Sequence, residues 1–141
     1  MSSSYSSSLK LEKMTTGEKA GLWGTVTNTN LDLIQEAVGG YIAIAVTNAD
    51  ITTTVADGAS SNGRNAVILL SGTLAANRIV TVPDSIEKTW LVIDTTVRSS
   101  SHFTLTFKTA SGTGVTLARG STTLLYSDGT NVNKAMIQKG Y

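Results

Sequence analysis

Between Thr15 and Gly40 the apolar residues of the chain recur at helical spacing, and from Tyr41 onward they alternate with polar ones. Leu31, Ile34 and Val38 fall on one helical face. Asn30 offers an N-cap, Asp32 lies in the first turn where a carboxylate favours the helix dipole, and Gly39 and Gly40 supply a stop. The spacing predicts a short amphipathic helix that covers one end of a sheet with that face. Ahead of it, Thr16 to Trp23 is either another helical turn or a compact loop, with Gly17, Gly21 and Gly24 allowing close backbone approach around Trp23.

In the second part Ile42, Ile44 and Val46 oppose Tyr41, Ala43, Ala45 and Thr47, the period of a strand with one face in a core. Further candidate strands are Ile51 to Val55, Ala66 to Leu70, Arg78 to Val82, Trp90 to Thr95, Phe103 to Lys108, Val115 to Ala118, Thr122 to Tyr126 and Val132 to Ile137. Asp128 and Gly129 between the last two predict a two-residue type I′ hairpin turn, and Ser111 to Gly114 a second hairpin tip. Asp57 to Gly63 reads as a longer polar loop. The expected fold is all-β, a β-sandwich of about nine short strands with a short N-terminal α-helix.

Residues 1–13 form an arm that opens as a serine-rich stretch and ends with Leu9 and Leu11 alternating with charged residues. Alone the arm is expected to be mobile; against a neighbouring subunit Leu9 and Leu11 can dock as an added strand. Residues 14–141 are expected to form a single β-rich structural domain, since a chain of 141 residues holds one modest core.

Composition narrows the function classes. With 11 basic against 10 acidic residues there is no global charge to attract nucleic acid. The longest apolar-leaning run, near Tyr41 to Val46, is far below the roughly 20 residues that cross a bilayer, and Met1 to Ser8 lacks the charged-then-apolar pattern of an export signal. No membrane partner is expected. Without cysteine, disulfides, thiolate metal sites and a cysteine nucleophile are excluded, and oligomer formation becomes a natural source of stability.

The residue types that carry catalysis are few or scattered. The single imidazole, His102, follows Ser99 to Ser101, but alternation puts it with Thr104, Thr106 and Lys108 on the face opposite Phe103, Leu105 and Phe107, where solvent or a subunit contact is expected. Asp32, Glu36, Asp50, Asp57, Asp84, Glu87, Asp94 and Asp128 are too dispersed for a calcium loop. Gly112 and Gly114 lack the third glycine of a dinucleotide fingerprint, Leu117 standing there instead. Arg64, Arg78, Arg98 and Arg119 read as solvated edge or interface residues. No catalytic, cofactor-binding or metal residue is assigned; the interface candidates are Leu9, Leu11 and Trp23, a large aromatic among glycines that suits either a pocket on a neighbour or the helix–sheet junction.

The segment TGEKAGLWGTVTNTNLDLIQEAVGG, Thr16 to Gly40, resembles the opening of tail-fibre and related structural proteins of tailed bacteriophages, through Gly17, Glu18, Gly21, Trp23, Gly24, Asn28, Asn30 and Leu31. GASSNGRNAVILLSGTL at Gly58 to Leu74, NRIVTVP at Asn77 to Pro83, TASGTGVTL at Thr109 to Leu117 and LLYSDGTNV at Leu124 to Val132 are similar to the same group. The resemblance implies a non-enzymatic virion protein that self-associates, as a homotrimer by analogy with fibres, and that meets other tail or capsid proteins. In such proteins this region commonly opens a longer fibre; here the chain ends at Tyr141, which favours a stand-alone attachment or adaptor module. The alternatives are a capsid decoration protein and a module that binds host surface glycan.

Overall fold

The computed structural model describes residues 3–135. Among them the chain is mainly β with one helix. Helix α1 spans Trp23–Gly39, so it begins well before Asn30. Threonine and asparagine are weak helix formers, but burial of Val26 and Leu33 on one side outweighs that preference. Asn30 is therefore not the N-cap; Leu22 holds that position and makes no side-chain cap bond. The stop is as expected: the Gly40 N–H donates to the Glu36 carbonyl, and a Cβ on Gly40 would collide with that carbonyl and with Asn65. Leu31, Ile34 and Val38, predicted to face the sheet, are exposed, and Val26 and Leu33 take their place. The polar anchors Asn30 and Glu36, described below, set the rotation of the helix about its axis.

Among the described residues thirteen strands form four sheets. In the arm, β1 (Ser4–Tyr5) and β2 (Glu12–Lys13) make a small antiparallel hairpin. After α1 come β3 (Tyr41–Ala45), β4 (Ile51–Thr52), β5 (Val67–Ser71), β6 (Thr73–Leu74), β7 (Arg78–Val82), β8 (Glu87–Asp94), β9 (Val97–Arg98) and β10 (Leu105–Thr109). The chain closes with β11 (Gly114–Thr116), β12 (Thr122–Asp128) and β13 (Val132–Lys134). Each of the nine expected segments holds a strand; the additional four are only two residues long, too short for a period to register. Met136 and Ile137 of the last expected strand lie outside the described residues.

The strands are joined in rungs. β3, β5 and β8 are parallel neighbours in one sheet, β4, β7 and β10 in a second, and β6 and β9 in a short third. Each rung passes through the first sheet and then the second, and the second and third rungs also pass through the short sheet. Equivalent positions stack: Tyr41 pairs with Val67 and Val67 with Leu91, while Ile51 pairs with Val80 and Val80 with Phe107. The winding then reverses. β11 pairs antiparallel with β10, β12 with β8, and β13 with β12, giving sheet orders β11-β10-β7-β4 and β13-β12-β8-β5-β3.

Both large sheets turn their inward residues to one apolar cluster that includes Ile68, Leu70, Val80, Val92, Leu105 and Leu125. Trp90 of β8 and Phe107 of β10 meet edge to face across it, with ring centroids 5.7 Å apart at 63°. The Trp90 indole N–H donates to the Gly63 carbonyl at 2.8 Å, so its one polar atom is satisfied inside the core.

The last hairpin exists, with its turn one residue later than expected. Asp128 remains in β12, and its backbone N–H donates to the Asn131 carbonyl, leaving Gly129 and Thr130 as the corner. Of the three, only Gly129 has positive φ, +95°. A type I′ turn on Asp128 and Gly129 would need it at both. The Asp128 carboxylate instead accepts the backbone N–H groups of Thr130 and Asn131 at 2.9 and 2.8 Å. Those bonds, the Asn131 N–H first, hold its carboxyl below the usual range.

Candidate interaction site

The arm, the second half of α1 and the loop between β4 and β5 meet beside the starts of β3, β5 and β8. Their common point is Arg64, whose side chain is fully buried. Its Nε–H donates to the Leu9 carbonyl at 2.9 Å, and Nη1 donates to Glu36 Oε1 at 3.1 Å and to Ser61 Oγ at 3.2 Å. The carbonyls of Ala56 and Ala59 accept from Nη2 and Nη1. One cation thereby fastens the arm, the loop and the helix together. Glu36 also accepts from the Ser61 N–H at 3.1 Å and the Ser60 hydroxyl.

A second fastening joins arm to helix. The Asn30 amide accepts the Glu12 N–H at 3.0 Å and donates to the Glu12 carbonyl at 2.9 Å, the two bonds a neighbouring strand would make with β2. Ser8 Oγ accepts the Glu87 N–H at 2.9 Å, and the Lys10 carbonyl accepts that of Gly58 at 2.8 Å. Leu9 and Leu11 are half-buried against their own subunit. The expected arm that finds a partner only on a neighbour is thus an arm bonded to its own chain, because the loop and α1 present donors and acceptors matched to its backbone.

Lys88 lies on the inner side of this junction. Its ammonium sits 5.4 Å from the Trp90 ring centroid and donates to the carbonyls of Ala37 at 3.4 Å and Thr89 at 3.0 Å. Desolvation, reinforced by the Arg64 charge and only partly offset by Glu36, lowers its pKa to about 8.

Among the other sequence candidates, Trp23 stands at the start of α1 with 63% of its surface exposed, so it does not plug the helix–sheet junction; Trp90 fills the core instead. His102 is exposed in a turn. Two of the arginines expected in solvent are interior: Arg64, and Arg98, which pairs with buried Asp94 at 2.6 Å. The sign of such a role was a lone arginine in a polar loop directly before the apolar run of β5, with an acid, Glu36, on the preceding helix. Among the described residues no group of three or more histidines and acids is placed to hold a metal, and no helix is long and apolar enough to cross a membrane.

Two surface features remain. Leu22, Trp23, Leu31, Ile34 and Val38 are exposed on α1 and its N-cap, with Val38 at 76%. Beside the C-terminus of α1, Asp32, Gln35, Glu36, Gly39, Gly40, Tyr41 and Asn65 line an open groove of about 360 Å³. Comparison with protein-family models, curated proteins and solved structures finds no match for this chain.

Proposed function

We propose that the chain is a non-enzymatic structural subunit of a tailed-bacteriophage particle, a tail-fibre or tail-associated attachment module that self-associates as a homotrimer. The observation that carries the reading is the exposed apolar side of α1, led by Trp23, on a helix whose opposite side is fixed to the body of the subunit. The segments similar to tail-fibre proteins supply the virion context, and their opening segment contains this helix. The two large sheets facing each other across Trp90 and Phe107 are read as a sandwich-like body that holds the helix rigid. Gold-labelled antibody against the chain, viewed on intact particles, tests the assignment. Label on the tail is the expected result. Label on the head would transfer the protein to capsid decoration, and particles free of label would overturn the virion reading.

The groove beside α1 favours host-glycan binding as a second reading. Tyr41 is 59% exposed there and offers an aromatic face to the apolar side of a sugar ring, while Asp32 and Gln35 supply hydrogen-bonding groups. A glycan array answers this directly: binding lost in Tyr41→Ala supports it, and an array without signal removes it.

A further inference from the structure

The five-stranded sheet ends at β3 in an edge that the described residues leave open. The Val67 N–H donates to the Gly40 carbonyl at 2.9 Å and the Val46 N–H to the Ser71 carbonyl at 2.7 Å, so by parallel alternation Ile42 and Ile44 also bond to β5. The N–H and C=O groups of Tyr41, Ala43 and Ala45 point the other way, and none has a bond among the described residues. Natural edges are commonly guarded by a charge, a proline, a bulge or a covering segment. Tyr41–Ala45 is uncharged, lacks proline and keeps continuous register with β5. At the opposite edge of the sheet, by contrast, the Val132 N–H of β13 is held by the Thr113 carbonyl at 3.0 Å. We infer that β3 takes up an extended strand of another protein, with a basic side chain of that strand entering the groove beside α1.

The backbone groups define the occupant as an extended chain, because a strand is what bonds alternate residues along an edge. Ala43 and Ala45 are exposed and small, and leave its path clear. Charge defines the rest. The groove opens at the Tyr41 end of the edge, and acceptors dominate its wall. Asp32 and Glu36 contribute carboxylates, and α1 ends there with the negative pole of its dipole and no basic residue in its last turn. The nearby Arg64 guanidinium is fully buried. Asn65 is 9% exposed; its amide nitrogen donates to the carbonyls of Ser61 and Asn62 at 3.3 and 3.2 Å, while its Oδ1 has no donor among the described residues. A Cβ on Gly40 would meet that oxygen, so the glycine leaves it open to the groove. A guanidinium or ammonium supplies the donors and the charge this wall lacks, and the exposed Tyr41 ring offers it a face. The β3 of a second copy does not fit. The charges nearest to it in sequence are Glu36 and Asp50, both acids, which pairing of two β3 strands would bring toward the acidic groove. The inference gives the proposed attachment module a surface to attach by, and rests on that reading for the place of its partner in the particle.

Isothermal titration calorimetry of the full chain tests the inference. The probe is a short capped peptide of alternating threonine and valine with arginine at each end, so that either strand direction brings a guanidinium to the groove. Saturable binding is expected, weakened about tenfold in Asp32→Asn by the loss of one charge-assisted contact. Ala43→Pro removes the central outward N–H and leaves the bonds to β5, so it is expected to abolish binding while circular dichroism stays that of the wild type. The wild-type chain gives the same test with probe peptides methylated at alternate backbone nitrogens, one of the two registers being expected to lose binding. A peptide that fails to bind at millimolar concentration would overturn the inference, and if glucosamine binds instead, the groove belongs to an amino sugar. Binding retained in Ala43→Pro would overturn the strand edge, and equal binding of the peptide with glutamate in place of arginine would overturn the groove. Dimers of the chain alone that Ala43→Pro dissociates would make a second copy the occupant. Label on the tail together with a peptide that does not bind would remove this surface and leave the attachment reading standing.

Discussion

In the rungs most of the buried side chains are apolar, with Ile68, Leu70, Val80 and Phe107 fully inside one cluster and the Asp94–Arg98 pair the charged exception; at the junction of arm, loop and helix the most deeply buried group is the Arg64 guanidinium. The two regions abut, and Gly63, which hydrogen-bonds Trp90 of the rungs, is the residue next to Arg64. They differ in how their cohesion is distributed. Rung stability is spread over many contacts, each buried aliphatic or aromatic side chain contributing roughly 1.5–3 kcal/mol, and small volume changes are partly absorbed by neighbours. The junction concentrates its cohesion in directed bonds to a single cation, so losing that cation leaves a carboxylate without its counter-charge and several carbonyls without their donor at once.

The contrast is broken most directly at Arg64. Arg64→Leu should lower unfolding free energy by about 3–5 kcal/mol, measured by urea denaturation, because it keeps the volume but strips Glu36 of its counter-charge and orphans the carbonyls of Leu9, Ala56 and Ala59. Gly129→Val comes next, at about 1–3 kcal/mol: a Cβ there meets only ordinary contacts, so the cost is that of holding a β-branched residue at positive φ. An unaltered melting temperature would show that the final hairpin can change its turn. Ile68→Val, in the middle of the rungs, should cost only about 0.5–1.5 kcal/mol. If it matched Arg64→Leu in the same assay, the proposed difference between the regions would be wrong.

The smallest effect is also of opposite sign. The Lys88 pKa is about 8 in the folded chain against an ordinary 10.5, so between those values the unfolded chain binds more protons and stability rises with pH. Lys88→Met should therefore raise the melting temperature at pH 7 by about 2–4 °C, a modest gain because the side chain keeps access to solvent. The advantage over wild type should shrink as pH climbs through 8 toward 10.5. A constant difference across that range would show that packing, and not the ammonium, is responsible.

Which parts of the fold were legible follows from what alternation encodes. A period of two marks a strand and its inward side, so Ile68, Val80, Leu105 and Phe107 were identifiable as core positions. It carries no information about the partner strand. Turn chemistry does, and the two hairpin signals, at Ser111–Gly114 and Asp128–Gly129, mark antiparallel pairs that the structure contains. From β3 to β10 no hairpin tip was readable and the pairing is parallel, while the antiparallel pairing of β12 with β8 left no turn signal of its own. The arm and helix were misread for a related reason: Asn30 resembles a cap in sequence, whereas its amide bonds to Glu12, far away along the chain. A side chain's long-range hydrogen-bond partner leaves no periodic trace. Trp23 was legible as a large aromatic near the helix start, but only the docking of α1 decides which way it faces.

The stacking of Tyr41 on Val67 and of Val67 on Leu91 makes every rung a template for the next, so the length of the winding is separable from the antiparallel run that closes it. The antiparallel run from β11 to β13 closes the winding beyond β8 and β10, whereas the arm runs beside the starts of the rungs and ties them together, through Leu9 on Arg64 before β5 and Ser8 on Glu87 of β8. The body is in this sense a ruler. Copying a rung such as residues 67–86 would lengthen the subunit along the winding axis and leave the final hairpin as it is, at the cost of the bonds from Glu87 to Ser8 and from Lys88 to Ala37 that tie the third rung to the arm and α1.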